Sequence, residues 1–193
     1  MFMKRYRPCY LAIIGAVLWC VSTVTCAKVP LPSTLACSKQ SSCASVVGYW
    51  LTIDDKTNQP RGVVRLYRYT DDGKTTIQGV SKFGFYTPGR EWSKTYNGPY
   101  QPYQGRKNGT FLIMYGYENQ GDGRWSNGRV IDIDGGKSYK SHLQLEDHGN
   151  TLKLSGCIMF ICRSQQWHRL TDAQYQRYLA LSKSQEKIHP KGP

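Results

Sequence analysis

The stretch RWSNGRVIDIDGGKSYKSHLQLEDHGNTLKLSGC, residues 124–157, holds three runs of strand length separated by two turns. In the middle run Tyr139, Leu143 and Leu145 alternate with polar residues, which is the period-two pattern of a strand with one buried face. The turns Asp134-Gly135-Gly136 and His148-Gly149-Asn150 supply the positive φ angles that tight hairpins need. The stretch therefore predicts three antiparallel strands joined by hairpins.

The same pattern continues on both sides of this stretch. Eight runs of strand length follow one another: VVGYWLTI, VVRLYRY, TTIQGVSKF, TFLIMYGYE, RWSNGRVIDI, SYKSHLQLE, NTLKLSGC and CRSQQWHR. Successive antiparallel strands leave two exposed edges unless the first and last strands pair. We therefore predict an all-β domain, an eight-stranded antiparallel up-and-down barrel over residues 46–170.

A C-terminal α-helix is predicted over residues 171–188, followed by a tail at 189–193. Thr171 and Gln174 have the spacing of a capping box. Tyr175, Tyr178, Leu179 and Ile188 form one apolar stripe, so the helix is expected to pack across the outside of the sheet.

The N-terminus predicts export. Lys4, Arg5 and Arg7 precede the uncharged apolar stretch Cys9–Cys26, the layout of a secretory signal peptide over residues 1–27 with cleavage near Ala27. Lipid attachment at an early cysteine is the alternative, disfavoured because no cysteine follows the processing sequence it needs. Residues 28–45 are then an extended lead-in. The mature protein is expected in the periplasm or the medium, without a transmembrane segment.

The formal net charge of +13 suggests attraction to anionic surfaces of the cell envelope. The basic residues are nevertheless scattered singly, and no run of five or more forms an arm for nucleic acid. Nucleic acid is therefore not a predicted partner, and simple solvation of these charges is the plainer interpretation.

Four cysteines follow the signal peptide: Cys37, Cys43, Cys157 and Cys162. An even count in an oxidising compartment indicates disulfides. A bond between Cys157 and Cys162 requires the chain to reverse across residues 158–161, with Cys37 and Cys43 as the second pair. The alternative crosses the pairs. The apolar turn IMFI, residues 158–161, either packs against the barrel or is exposed and binds a partner.

No motif for catalysis, metal or cofactor binding was found. The sequence lacks G-x-S-x-G, H-E-x-x-H and a phosphate loop, and its four histidines are dispersed. We therefore predict no catalytic residue, metal or cofactor. A hydrolase of envelope polymers is the weakest functional hypothesis, because it needs a polar cluster in the cavity and the sequence shows no pattern that indicates one.

Fourteen tyrosines and five tryptophans suggest an aromatic cavity. Tyr115, Tyr117 and Trp125 lie on adjacent predicted strands, and Tyr100 and Tyr103 of the long connection 86–107 could fold over them. Such a cavity would take a small apolar or sugar-like ligand. The alternative is that the barrel is filled by Trp50, Phe111, Ile131 and Leu143, and that the protein is a structural or interaction module of the envelope.

Gly48-Tyr49-Trp50 at the start of the first strand resembles the G-x-W signature of calycins, the lipocalin-like barrels. The resemblance implies that Trp50 packs across the closed end of the barrel under an arginine of the last strand. Arg163 and Arg169 are the two candidates for that arginine.

Most of the barrel, Gly48 to Arg169, also resembles a bacterial family of small exported proteins catalogued as a domain of unknown function. The similarity lies in a W-S-x-G-x-I-x-D segment, a G-K-x-Y turn and a closing R-x-x-x-W-x-R strand. The retained residues are Trp125, Ser126, Gly128, Asp132, Gly136, Lys137, Tyr139, Gly156, Arg163, Trp167 and Arg169.

The chain departs from that family at Ile133, where proline is common, and at Ser155, where a basic residue is common. Its long connection carries tyrosines where many members have Cys-x-x-Cys, which argues against a metal or redox role for that connection here. The resemblance implies the fold and export, and it brings no catalytic residues.

Overall fold

The computed structural model describes residues 29–32, 45–55, 57–87, 95–107, 110–158 and 161–189. Its elements are β1 (Gly48–Ile53), β2 (Pro60–Asp71), β3 (Lys74–Gly84), β4 (Leu112–Gly121), β5 (Arg124–Asp132), β6 (Lys137–Glu146), β7 (Thr151–Ile158), β8 (Ile161–Leu170) and α1 (Asp172–Ile188), with short 3₁₀ turns at Gln101–Tyr103 and Asp147–Gly149.

The eight strands form a closed antiparallel barrel in which each strand pairs with its neighbours in the sequence. Closure is made by β1, where Trp50 is the register partner of Val64 on β2 and of Arg169 on β8. Pairing of the first and last strands leaves the sheet without a free edge. The predicted eight-stranded up-and-down barrel with one C-terminal helix is confirmed.

Two hairpins turn through two residues each. Asp72 and Gly73 join β2 to β3 with φ of 45° and 75°, and Asp122 and Gly123 join β4 to β5 with φ of 50° and 69°. Positive φ at both central positions matches the twist of the paired strands. Short, locally encoded turns of this kind fix the register of the barrel.

The interior of the barrel is filled along most of its length. Trp50, Leu66, Met114, Leu143 and Leu152 are at most 1% exposed. They belong to one cluster, whose buried members are Val46, Trp50, Val64, Leu66, Ile77, Met114, Tyr117, Trp125, Leu143, Leu152, Leu154 and Trp167. Dense packing of this kind leaves room for a ligand only where the cluster ends.

Helix α1 packs on the outer face of β1–β3. Thr171 and Gln174 form the predicted capping box. Tyr178 is buried among Leu51, Val63 and Phe85, and its hydroxyl donates to the Pro30 carbonyl at 2.6 Å. Two further members of the predicted stripe differ from Tyr178: Leu179 is half-buried and Ile188 is exposed.

The described part of the β3–β4 connection, 95–107, packs on the outside of β4 and β5. Tyr96, Tyr103, Phe111 and Ile131 are its buried core, with the rings of Tyr103 and Phe111 stacked at 4.7 Å. Phe111 and Ile131 therefore cover the outer face of the sheet, although the filled-barrel hypothesis placed them inside.

Several predicted features lie outside the described residues. These are the signal peptide, most of the lead-in, Cys37 and Cys43, and the tail beyond residue 189. The side chains of Cys157 and Cys162 also lie outside the description, as does the apolar tip between them, while the backbones of the two cysteines are register partners across β7 and β8.

Candidate ligand-binding site at the Trp50 end of the barrel

One end of the barrel is formed by residues 45–47, the hairpins β2–β3 and β4–β5, and the turn between β6 and β7. We call it the Trp50 end. The Trp50 side chain is fully buried there, and its Nε1 donates to the Val46 carbonyl at 2.9 Å. This bond fixes the segment that enters the first strand.

Arg169 covers the Trp50 ring, with its guanidinium carbon 4.3 Å from the ring centroid. Its Nη1, Nη2 and Nε donate to the carbonyls of Val47, Ser45 and Gly149 at 3.1, 2.5 and 2.6 Å. Burial lowers the pKa of Arg169 to about 10, so the side chain stays charged at neutral pH. One cation thereby joins the N-terminal segment, the β6–β7 turn and Trp50.

Arg163, the other candidate, does not reach Trp50. It is exposed and lies on the same face of β8 as Arg169, toward the opposite end of the barrel. Arg169 follows Arg163 by six positions of extended strand, which corresponds to about 20 Å. Arg169, by contrast, lies close to the start of β1. A Cβ added at Gly48 would stand 3.2 Å from the Arg169 Nη1.

A cavity of about 270 Å³ opens at the Trp50 end, beside the sealed tryptophan. Four strands and the N-terminal segment contribute to its wall. The lining residues are Ser45, Val46, Arg68, Thr75, Thr76, Ile77, Tyr117, Asn119 and Trp125. Its volume is just below the range of about 300–1,000 Å³ that is usual for small-molecule sites.

Tyr117 and Trp125 are the aromatic residues of this wall. Tyr117 is fully buried, and its hydroxyl shares a hydrogen bond with Ser141. Burial raises the pKa of Tyr117, so the phenol remains protonated throughout the physiological range. Its ring lies against Gly128, where a Cβ would stand 2.3 Å from the ring atoms. The position of this ring therefore requires glycine at residue 128.

Among the described residues that line the cavity, Arg68 is the charged one. Arg68 is exposed on β2 and is the register partner of Ile77 on β3. Among the described residues that line the cavity there is no aspartate or glutamate. Within the described part of the chain, the Arg68 side chain has neither a hydrogen bond nor an ion pair, so its guanidinium is available to a ligand.

A second hollow of about 360 Å³ lies across the rim near β5 and β6. Its lining includes His142 and Leu143, which are consecutive residues on opposite faces of β6. This hollow therefore spans both faces of the sheet at the rim, whereas the first cavity lies at the open end of the barrel interior.

The structure separates the five aromatic residues predicted to line one cavity. Tyr117 and Trp125 line the cavity, while Tyr100, Tyr103 and Tyr115 belong to the outer cluster around Phe111. The five residues therefore do not line a common cavity.

An irregularity in β4 explains this separation. Residues two apart share a face in a regular strand, yet Met114 and Tyr117, three apart, both face the interior. Gly116 lies between them with a φ of 77°, and the β3–β4 register shifts at this point. A bulge of this kind turns Tyr115 outward and Tyr117 inward.

The sequence interpretation missed Arg68, Asn119 and the β3 residues of the wall. Arg68 continues the inward row of Val64 and Leu66 on β2, so its alternation with them was a usable signal.

Within the described residues, no three His, Cys, Asp or Glu side chains are grouped to hold a metal ion. The described helices include none long and apolar enough to cross a membrane.

Comparison with known proteins supports the fold. A family model described as "Uncharacterized protein conserved in bacteria (DUF2147)" matches residues 48–169. A search of curated proteins found no match. Among solved structures, protein HP1028 from the human pathogen Helicobacter pylori, described as belonging to the lipocalin family, is similar with a TM-score of 0.51 and 16% identity. The similarity covers 69% of this chain and 88% of HP1028.

Proposed function

We propose that this chain, which belongs to the DUF2147 family of uncharacterised bacterial proteins and folds as a lipocalin-like barrel, binds a small ligand at the Trp50 end. The observation that supports this is the open cavity of about 270 Å³, with Tyr117 and Trp125 in its wall. A concave aromatic wall combined with a few polar groups is the usual composition of a small-molecule site.

The packed interior limits the size of the ligand. Leu66, Met114 and Leu143 are fully buried in the interior cluster. A ligand would therefore occupy the mouth, and a long chain could not enter the centre of the barrel without displacing core side chains. The proposed ligand is a small molecule with an apolar part that contacts Ile77 and Trp125.

Binding is proposed to take place outside the cytoplasm. The support is the basic and then apolar N-terminal sequence, which predicts a signal peptide cleaved near Ala27. N-terminal sequencing of the protein isolated from its host tests this: a start near Lys28 supports export, and a retained Met1 contradicts it.

Native mass spectrometry of protein purified from its own host tests ligand binding. Thr75→Trp places a bulky ring in the cavity wall, and we expect the bound small mass to disappear. Tyr69→Trp is the matched control, because Tyr69 is exposed on the same hairpin and does not line the cavity. Retention of the same mass by Thr75→Trp, or its repeated absence from the wild type, contradicts the proposal.

The filled interior favours a second candidate, a structural or interaction module of the cell envelope. In that case the protein needs no ligand, and its outer surface carries the function. Co-purification of a defined partner at fixed stoichiometry, unchanged in Thr75→Trp and without a small mass, would support this module over the binder.

A further inference from the structure

We infer that the ligand of this cavity is a small organic anion whose negative group binds Arg68 while its apolar part contacts Ile77 and Trp125. The inference rests on the proposed function and specifies the chemical class of the ligand. It follows from the placement of Arg68, from the charges around it and from the size of the cavity.

Arg68 places a positive charge in the wall of the cavity. Val64 and Leu66 precede it at alternate positions of β2, and both are buried in the barrel interior. Arg68 is the next residue of that row, at the point where the interior opens into the cavity. A long side chain at this position lies along an apolar wall and keeps its guanidinium at the mouth.

Arg68 differs from the basic residues that form ion pairs elsewhere on the surface. Arg61 pairs with Asp54 and Asp134, and Lys74 pairs with Glu118. Arg68 has no acidic partner in the described part of the chain. An unpaired guanidinium presents several donors in a fixed plane, a geometry that suits a carboxylate or a phosphate.

The other polar residues described in the wall do not supply a negative charge. Ser45, Thr75, Thr76 and Asn119 are neutral. Glu118 is adjacent to Asn119 in sequence, but its carboxylate binds Lys74 at 2.5 Å and Asn127 at 3.1 Å. The described wall of the cavity is therefore positive, and an anion is the ligand that complements it.

The apolar part of the ligand is limited by volume. The cavity of about 270 Å³ lies just below the range of about 300–1,000 Å³ that is usual for small-molecule sites. A carboxylate on a short alkyl chain or on one aromatic ring matches this space. The apolar side chains of Ile77 and Trp125, each 6% exposed in the cavity wall, favour such a body over a fully polar anion.

Titration calorimetry with matched acids and amides tests the inference. The full mature chain is titrated with hexanoate and hexanamide, and with phenylpropionate and phenylpropionamide. Each pair shares its apolar body and differs in charge. We expect each acid to bind about ten to one hundred times more tightly than its amide, the factor that a hydrogen bond to a charged group supplies. Added salt should weaken only the acids.

Arg68→Gln should lower the affinity of each acid to that of its amide and leave the amides unchanged. Arg65→Gln is the control, because Arg65 is exposed on the same strand and lies over the Tyr49 ring, outside the cavity lining. The variant should keep the preference for acids. Equal binding of acids and amides, unaffected by Arg68→Gln but lost in Thr75→Trp, would overturn the inference while leaving the cavity as a binding site. Absence of binding for all compounds at millimolar concentration would count against both proposals.

Discussion

Arg169 lies over the ring of Trp50 at 4.3 Å and binds three backbone carbonyls from two separate segments. The carbonyls belong to Ser45 and Val47, which precede β1, and to Gly149, which precedes β7. A single side chain therefore joins the beginning and the end of the barrel at the same place where β1 pairs with β8. The contacts of Arg169 therefore lie where the barrel closes.

Replacing Arg169 with methionine should destabilise the protein by about 2–4 kcal/mol, because one buried and two partly buried hydrogen bonds to backbone carbonyls are lost together with the contact with the indole. Urea unfolding monitored by circular dichroism measures this loss. Arg163→Met is the control, since Arg163 is exposed on the same strand. We expect that variant to stay within about 0.5 kcal/mol of wild type. Equal effects of both changes would show that the contacts of Arg169 do not stabilise the fold.

Gly128→Ala should destabilise the barrel by about 1–3 kcal/mol, because its Cβ would overlap the Tyr117 ring and the surrounding core is closely packed. Thermal and urea unfolding measure the change. Gly84→Ala provides the comparison: Gly84 is exposed, and its Cβ would meet no atom nearer than 3.5 Å. If Gly128→Ala matched Gly84→Ala in stability, the close contact between Gly128 and Tyr117 would be refuted.

The course of the strands was predictable from sequence because their signals are local. The alternation of Tyr139, Leu143 and Leu145 and the glycine-containing turns each depend on a few neighbouring residues. The capping box of Thr171 and Gln174 is local in the same way. Such features identify the elements, and closure of the barrel follows from the need to remove sheet edges.

The cavity was harder to predict because its wall depends on a break in the strand pattern. Regular alternation groups Tyr115 with Tyr117, whereas the bulge at Gly116 places them on opposite faces. The glycine that accommodates the Tyr117 ring lies on the neighbouring strand, at residue 128. Alternation along β2 places Arg68 on the inward face. That this position lines a cavity depends on how the β2–β3 hairpin packs beside β4, which the sequence of β2 does not show.

The stability of the protein should fall in alkaline solution partly through Tyr178. Burial raises the pKa of this phenol to about 12, above its usual value of 10.0. Above pH 10 the unfolded chain loses this proton while the folded chain keeps it, so the folded state is disfavoured as the pH rises. The loss accumulates between pH 10.0 and about 12.

Urea unfolding of wild type and Tyr178→Phe across this pH range measures the effect. The variant lacks the ionisable hydroxyl and should lose less stability between the two pH values. Taking the difference between the two proteins removes the contributions of all other titrating groups that they share. Parallel pH profiles would contradict the buried, protonated state of Tyr178.

Cys157 and Cys162 should form a disulfide in protein isolated from an oxidising compartment. Their backbones are register partners on β7 and β8. Directly opposite residues of an antiparallel pair have Cα atoms about 4.5–5.5 Å apart, within the range of about 4.4–6.8 Å for disulfides.

Tryptic cleavage after Lys153 and Arg163 releases both cysteines in one peptide. Without reduction that peptide should be lighter by two hydrogen atoms and resist alkylation, while Cys37 and Cys43 appear together. A link from this peptide to one containing Cys37 or Cys43 would establish the crossed pairing instead.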